Sequence, residues 1–152
     1  MKTLHTFSVA LIAMAIAGNA AGKDAAQVLV TEASTKGAKR TYAVDFYSDG
    51  TAVGFQVDLS VPGLKKKDLD LSKCQNLSLG DSATTGGCSF TEGVVRFVGV
   101  NTDLRALPQG WHNLGTFGVA NLPKGGVVKT KILATNAEGR AVDIGFEFAA
   151  EK

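Results

Sequence analysis

A chain of 152 residues with a formal charge of +2 is long enough for one domain with its own core and short for two. Its basic cluster, Lys65, Lys66 and Lys67, is followed by Asp68 and Asp70, so charge is not gathered on one element as in a nucleic-acid binder. The cysteines and histidines are too few, and too far apart, for metal-ligand spacing, and no cofactor-binding motif is present.

The first residues differ from the rest. Lys2 precedes an uncharged apolar run at residues 7–17, and the small residues Gly18, Ala20, Ala21 and Gly22 follow. A basic start, an apolar stretch of about 7–15 residues and a small-residue cut site make the pattern of an export signal. A membrane anchor is the rival reading, but spanning needs about 20 apolar residues, and Asn19 interrupts this run first. The expected cut follows Ala20, or else Gly22. Residues 1–20 are then a signal peptide and residues 21–152 one mature domain, periplasmic or extracellular, without a membrane span.

Strand signals recur along the mature part. Residues 27–31 form a short first strand, closed by a polar run over 32–40. In residues 41–47, Tyr42, Val44 and Phe46 alternate with Thr41, Ala43 and Asp45. Ser48-Asp49-Gly50 then turns the chain. The clearest alternation follows, with Phe55, Val57, Leu59 and Val61 on one side and Gln56, Asp58 and Ser60 on the other. Side chains on a strand alternate between faces, so the first set enters the core and the second faces solvent or a partner.

Pro62-Gly63 stops that strand. Residues 64–93 read as a polar excursion with one or two short strands. Residues 93–101 are apolar on both faces apart from Arg96, which predicts a central strand. A short strand centred on Phe117 and Val119, a glycine-opened strand at 127–135 and a closing strand at 141–149 complete the series. In the last, Val142, Ile144, Phe146 and Phe148 point inward. Short strands without βα alternation predict an all-β sandwich or barrel.

Cys74 and Cys88 stand in the turn-rich excursion. They are either reduced thiols or, in an exported chain, a disulfide. The bridge would stabilise by roughly 3 kcal/mol through loop closure.

Residues 52–62 (AVGFQVDLSVP) have the shape of a phrase found in cohesin domains, and there the chain resembles that family. GVVRFV at residues 93–98 is similar to the family's mid-domain strand, LGTFGV at 114–119 to the next, and residues 125–134 to the late strand. The resemblance covers residues 27–149. It implies a jelly-roll β-sandwich of about nine strands, a fold shared with some carbohydrate-binding modules. It also implies a non-catalytic role: cohesins receive dockerin modules and assemble secreted or surface-attached polysaccharide-degrading complexes. Two features depart from the family: the chain reads as a lone module, and it carries the Cys74/Cys88 pair.

The resemblance places partner contacts on an outer sheet face, here Gln56, Asp58 and Ser60, with Arg96 on a neighbouring strand. Plain solvated alternation is the alternative, and Arg96 either contributes to a contact surface or pairs with a nearby carboxylate. Tyr47 and Trp111 are the candidates for stacking on a polysaccharide, although Trp111, in the turn-like Pro108–His112 stretch, also reads as a lid over one end of the sandwich. Gly80-Asp81-Ser82 matches the opening of one class of serine hydrolases, with His112 as base and Asp103 to orient it. No Gly-x-Ser-x-Gly elbow accompanies it. Asp68 and Asp70 lack the spacing of an EF-hand loop.

Overall fold

The computed structural model describes residues 25–79 and 83–149. The expected signal peptide with its cut site, and Gly80, Asp81 and Ser82, lie outside the described residues. The described residues form strands β1 (Ala26–Lys36), β2 (Lys39–Ser48), β3 (Gly54–Ser60), β4 (Leu69–Lys73), β5 (Leu77–Ser78), β6 (Thr84–Thr91), β7 (Val94–Asn101), β8 (Gly110–Ala120), β9 (Val128–Thr135), β10 (Ala141–Val142) and β11 (Ile144–Ala149). A single 3-10 turn, Lys66–Asp68, precedes β4. Among the described residues no helix is long and apolar enough to cross a membrane.

Two sheets face each other, one ordered β11-β1-β2-β8-β4 and the other β10-β9-β3-β7-β6-β5. Alternation explains the layering. Val28 and Val30 on β1, Tyr42, Val44 and Phe46 on β2, Val57 and Leu59 on β3, Val95 and Phe97 on β7, and Leu114, Phe117 and Val119 on β8 are all buried between the sheets. Aromatic contacts cross the layer: Phe46 stacks on Phe55 at 4.7 Å between ring centroids, and Phe97 meets Phe117 at 6.0 Å. The chain changes sheet at Asp143, because β10 pairs with β9 while β11 runs parallel to β1. This is an all-β sandwich.

The described strands outnumber the roughly nine implied by the resemblance, and the reasons are local. The excursion at 64–93 holds three strands, not one or two; β6 is a full eight-residue strand paired with β7 along its length. Its polar sequence hid it, since Thr85, Ser89 and Thr91 face outward and exposed. The first strand runs on to Lys36 and forms a hairpin with β2. The strand centred on Phe117 begins at Gly110, which brings Trp111 and His112 into β8.

Cys74 and Cys88 form a disulfide with Cα atoms 5.4 Å apart. Cys74 immediately follows β4 of one sheet and Cys88 lies on β6 of the other. The bridge therefore ties the two layers together.

Candidate interaction face

The outer face of the six-stranded sheet is organised by register. Across β9, β3, β7 and β6 its rows are Thr135–Gly54–Val100–Thr85, then Leu133–Gln56–Val98–Gly87, then Lys131–Asp58–Arg96–Ser89. Ser60, Val94 and Val128 close the face after a bulge in the β3–β9 pairing, where the register shifts between Asp58 and Leu59. The four positions expected from the sequence, Gln56, Asp58, Ser60 and Arg96, thus share one face of two adjacent strands.

Strand alternation alone does not show what lies between those polar groups. Val98 and Val100 are 42% and 47% exposed. Gly54 presents no side chain between Val100 and Thr135, and Gly54, Val98, Val100, Leu133 and Thr85 line an open depression of about 490 Å³. The apolar residues stand here because β7 is central in its sheet, as predicted, yet nothing in the described chain covers its outer side. The signal was legible in Arg96-x-Val98-x-Val100, where one outward-facing phase is apolar.

Asp58 is not a free contact group. It is 5% exposed although it points away from the core. Arg96 grips it in a fork, donating from Nε to Oδ1 and from Nη2 to Oδ2, both at 2.8 Å. Gln56 Nε2 donates to Oδ2 at 3.0 Å. These charge-assisted bonds fix the pair more firmly than an ordinary surface ion pair. The Arg96 hydrogen bonds hold the Asp58 carboxyl below the usual carboxylate range, against the opposing pull of burial. Substituting Asp58 to test binding would disturb this clamp. Val98 is the better probe.

A pH consequence follows. A carboxylate with a lowered native pKa contributes stability that is complete above the unfolded value, about 3.9, and is lost as pH falls through the native value. Arg96→Gln should lower stability at neutral pH and flatten the decline in unfolding midpoint on going from about pH 4 to pH 2. Denaturant melts across that range check it; an unchanged acid limb would remove the pair from the account. Asp70 contributes to the acid limb of both proteins. Ser72 and Lys39 hydrogen-bond its carboxylate and lower its pKa.

Other sequence candidates separate clearly. Trp111 lies on β8 and faces outward, 54% exposed, so it is not a lid over the end of the sandwich. Its cross-strand partner is Tyr47, with ring centroids 5.4 Å apart in an edge arrangement. Both rings belong to the sheet opposite the face above. For the hydrolase reading, His112 Nε2 contacts the Pro108 carbonyl at 2.7 Å. Asp103 pairs instead with Arg105 at 2.9 Å. Among the described residues there is no group of three or more His, Cys, Asp or Glu able to hold a metal ion.

With this geometry in place, solved structures of similar architecture can be named. No family model matches the chain, and no curated protein matches its sequence. The fold is that of cohesin modules. The second type II cohesin module of the adaptor ScaA scaffoldin from Acetivibrio cellulolyticus superposes with a TM-score of 0.55 at 14% identity, covering 86% of this chain and 96% of that one. A non-cellulosomal cohesin from the archaeon Archaeoglobus fulgidus gives 0.54 at 14% identity, with 84% and 92% covered. A chain of a type I cohesin–dockerin complex from Clostridium thermocellum gives 0.54 at 8% identity, with 84% and 95% covered.

Proposed function

We propose that this chain is a non-catalytic, exported protein-binding module that receives a dockerin-like partner on the outer face of β9, β3, β7 and β6. The observation that carries the reading is the mixed character of that face. Exposed Val98 and Val100 lie beside Leu133 and the depression at Gly54, while Gln56 and the Asp58–Arg96 clamp form a rigid polar border. An apolar centre that excludes water beside fixed polar groups is how a protein interface concentrates its affinity.

Two further facts support the reading. Cohesins in complex with dockerins occur among the solved structures that share this fold. The Cys74–Cys88 disulfide suits an oxidising compartment, as does the export pattern at residues 1–20. On this reading the module serves a secreted or surface-attached assembly, adhesive or polysaccharide-degrading.

The test is direct binding of the purified domain to immobilised type I and type II dockerin modules by interferometry. Saturable binding to at least one type is expected. Val98→Asp should weaken it by about 30-fold or more, the scale of an interface hot spot of 2 kcal/mol, with the thermal midpoint maintained. Absence of binding to both types, or binding that Val98→Asp leaves intact, would sink the proposal.

A further inference from the structure

The outer face of the five-stranded sheet carries a second arrangement, independent of the first. Gln27, Tyr47 and Trp111 are register partners across β1, β2 and β8, and Asp45 and Asn113 occupy the next outward row. The two rings do not merely share a face. They meet edge to face, with centroids 5.4 Å apart. Gln109 Nε2 donates to the Tyr47 hydroxyl at 3.3 Å from the loop above, and Asn113 Nδ2 donates to Asp45 Oδ1 at 2.8 Å.

We infer that this aromatic corner is a glycan-binding site, taking one or more pyranose rings of an uncharged oligosaccharide against Trp111 and Tyr47. Chemistry selects that occupant. A pyranose offers one apolar face of C–H groups, whose partial positive charge suits the negative face of an aromatic ring. Its rim of hydroxyls needs groups that both donate and accept, and a planar side-chain amide does both. Here Gln109 bonds the Tyr47 hydroxyl, Gln27 is the register neighbour of Tyr47, and the next row is Asp45 with Asn113, whose Oδ1 accepts from Gly115 N–H at 3.0 Å.

The same surface disfavours the other candidates. No Lys or Arg stands among these residues, so a phosphate or acidic ligand would find no counter-charge and would meet Asp45. A quaternary ammonium is recognised by rings that enclose it; two rings on an open sheet face leave most of a cation uncovered. The rings also have a purely structural use, since cross-strand aromatic pairs stabilise a sheet. That use does not call for Gln109 on the Tyr47 hydroxyl with Gln27 in register beside it.

Because this sheet lies on the far side of the sandwich from Val98 and Val100, glycan and protein partner would bind without competing. The arrangement would let one small module attach an assembly to a polysaccharide surface while holding a partner.

Trp111 is the single tryptophan of the chain, so its fluorescence reports on this site alone. The experiment titrates the folded mature domain with β-1,4-linked hexaoses of glucose, xylose, mannose and N-acetylglucosamine, with choline as the cationic control. At least one hexaose should produce a saturable emission change with Kd at or below about 1 mM. Calorimetry with that hexaose should show binding lost in Trp111→Ala and weakened about 10-fold or more in Tyr47→Ala, a loss within the range of aromatic contacts. Tyr47→Phe should keep most of it, and Val98→Asp should leave it unchanged. Circular dichroism melts confirm that each variant is folded. No saturable response to any of the four hexaoses, a response to choline in their place, or full affinity in folded Trp111→Ala would overturn the assignment.

Discussion

Replacing both cysteines, Cys74→Ala with Cys88→Ala, is expected to lower the thermal midpoint of the domain by roughly 10 °C. The figure comes from a cross-link of sequence separation 14, whose removal costs about 3 kcal/mol in loop-closure entropy. Unfolding entropy for a domain of this size converts that loss to roughly 10 °C. Position adds to chain entropy. Cys74 is 1% exposed and follows β4, an edge strand of its sheet, while Cys88 lies on β6 of the other sheet and packs against the core.

Without the bridge, β4 is held to its sheet by a short and interrupted pairing with β8. The segment from Leu69 to Ser78 should therefore open before the rest of the sandwich. Hydrogen exchange on the double variant should show faster exchange there, with β3 and β7 altered little. A midpoint within about 2 °C of the parent protein, too small for a loss of 3 kcal/mol, would mean that the bridge is incidental to stability.

The fold was more legible in the sequence than either candidate face. Alternation at Phe55 to Val61 announced the strand that became the middle of a sheet, with Gln56, Asp58 and Ser60 on its outer face. Two properties of those residues were out of reach. Pairing of Arg96 with a carboxylate was one of its readings, but that the carboxylate is Asp58 was not legible, because the two are 38 positions apart and meet only through the β3–β7 register. Val98 and Val100 looked like core, because apolar residues on both faces of a strand usually mean cover on both faces. Whether a sheet is covered depends on where other segments go, and alternation within one strand carries no such information.

Trp111 was misread for a different reason. Pro108-Gln-Gly110 has the composition of a turn, and the turn was extended too far along the chain. Gly110, with φ of 133°, ends the loop and begins β8. From there Trp111 and Asn113 point outward and Leu114 inward. An error of two residues in where a strand begins removes a residue from its face altogether, and the pairing of Trp111 with Tyr47 went with it.

Gly115→Ala is the second substitution with a large expected cost, about 3 kcal/mol from two sources. Gly115 has φ of 89°, a conformation that costs an L-residue roughly 1–2 kcal/mol. The added methyl would also collide with the Lys73 carbonyl oxygen and lie 3.1 Å from Cys74 Cα, and overpacking of this kind costs about 1–3 kcal/mol. The site is the bulge in β8, where the pairing with β2 shifts between Ala43 and Asp45. Gly115 is what lets the chain at Lys73 and Cys74 lie directly against β8. Its substitution and loss of the disulfide should then be coupled. In the Cys74→Ala/Cys88→Ala background, the released segment can move away from the new methyl, so Gly115→Ala should cost at least 0.5 kcal/mol less than in the parent, the lower bound of coupling for contacting sites. Denaturant melts of the four proteins close this cycle. Strictly additive losses would mean that β4 and Cys74 hold their place against β8 without help from the bridge.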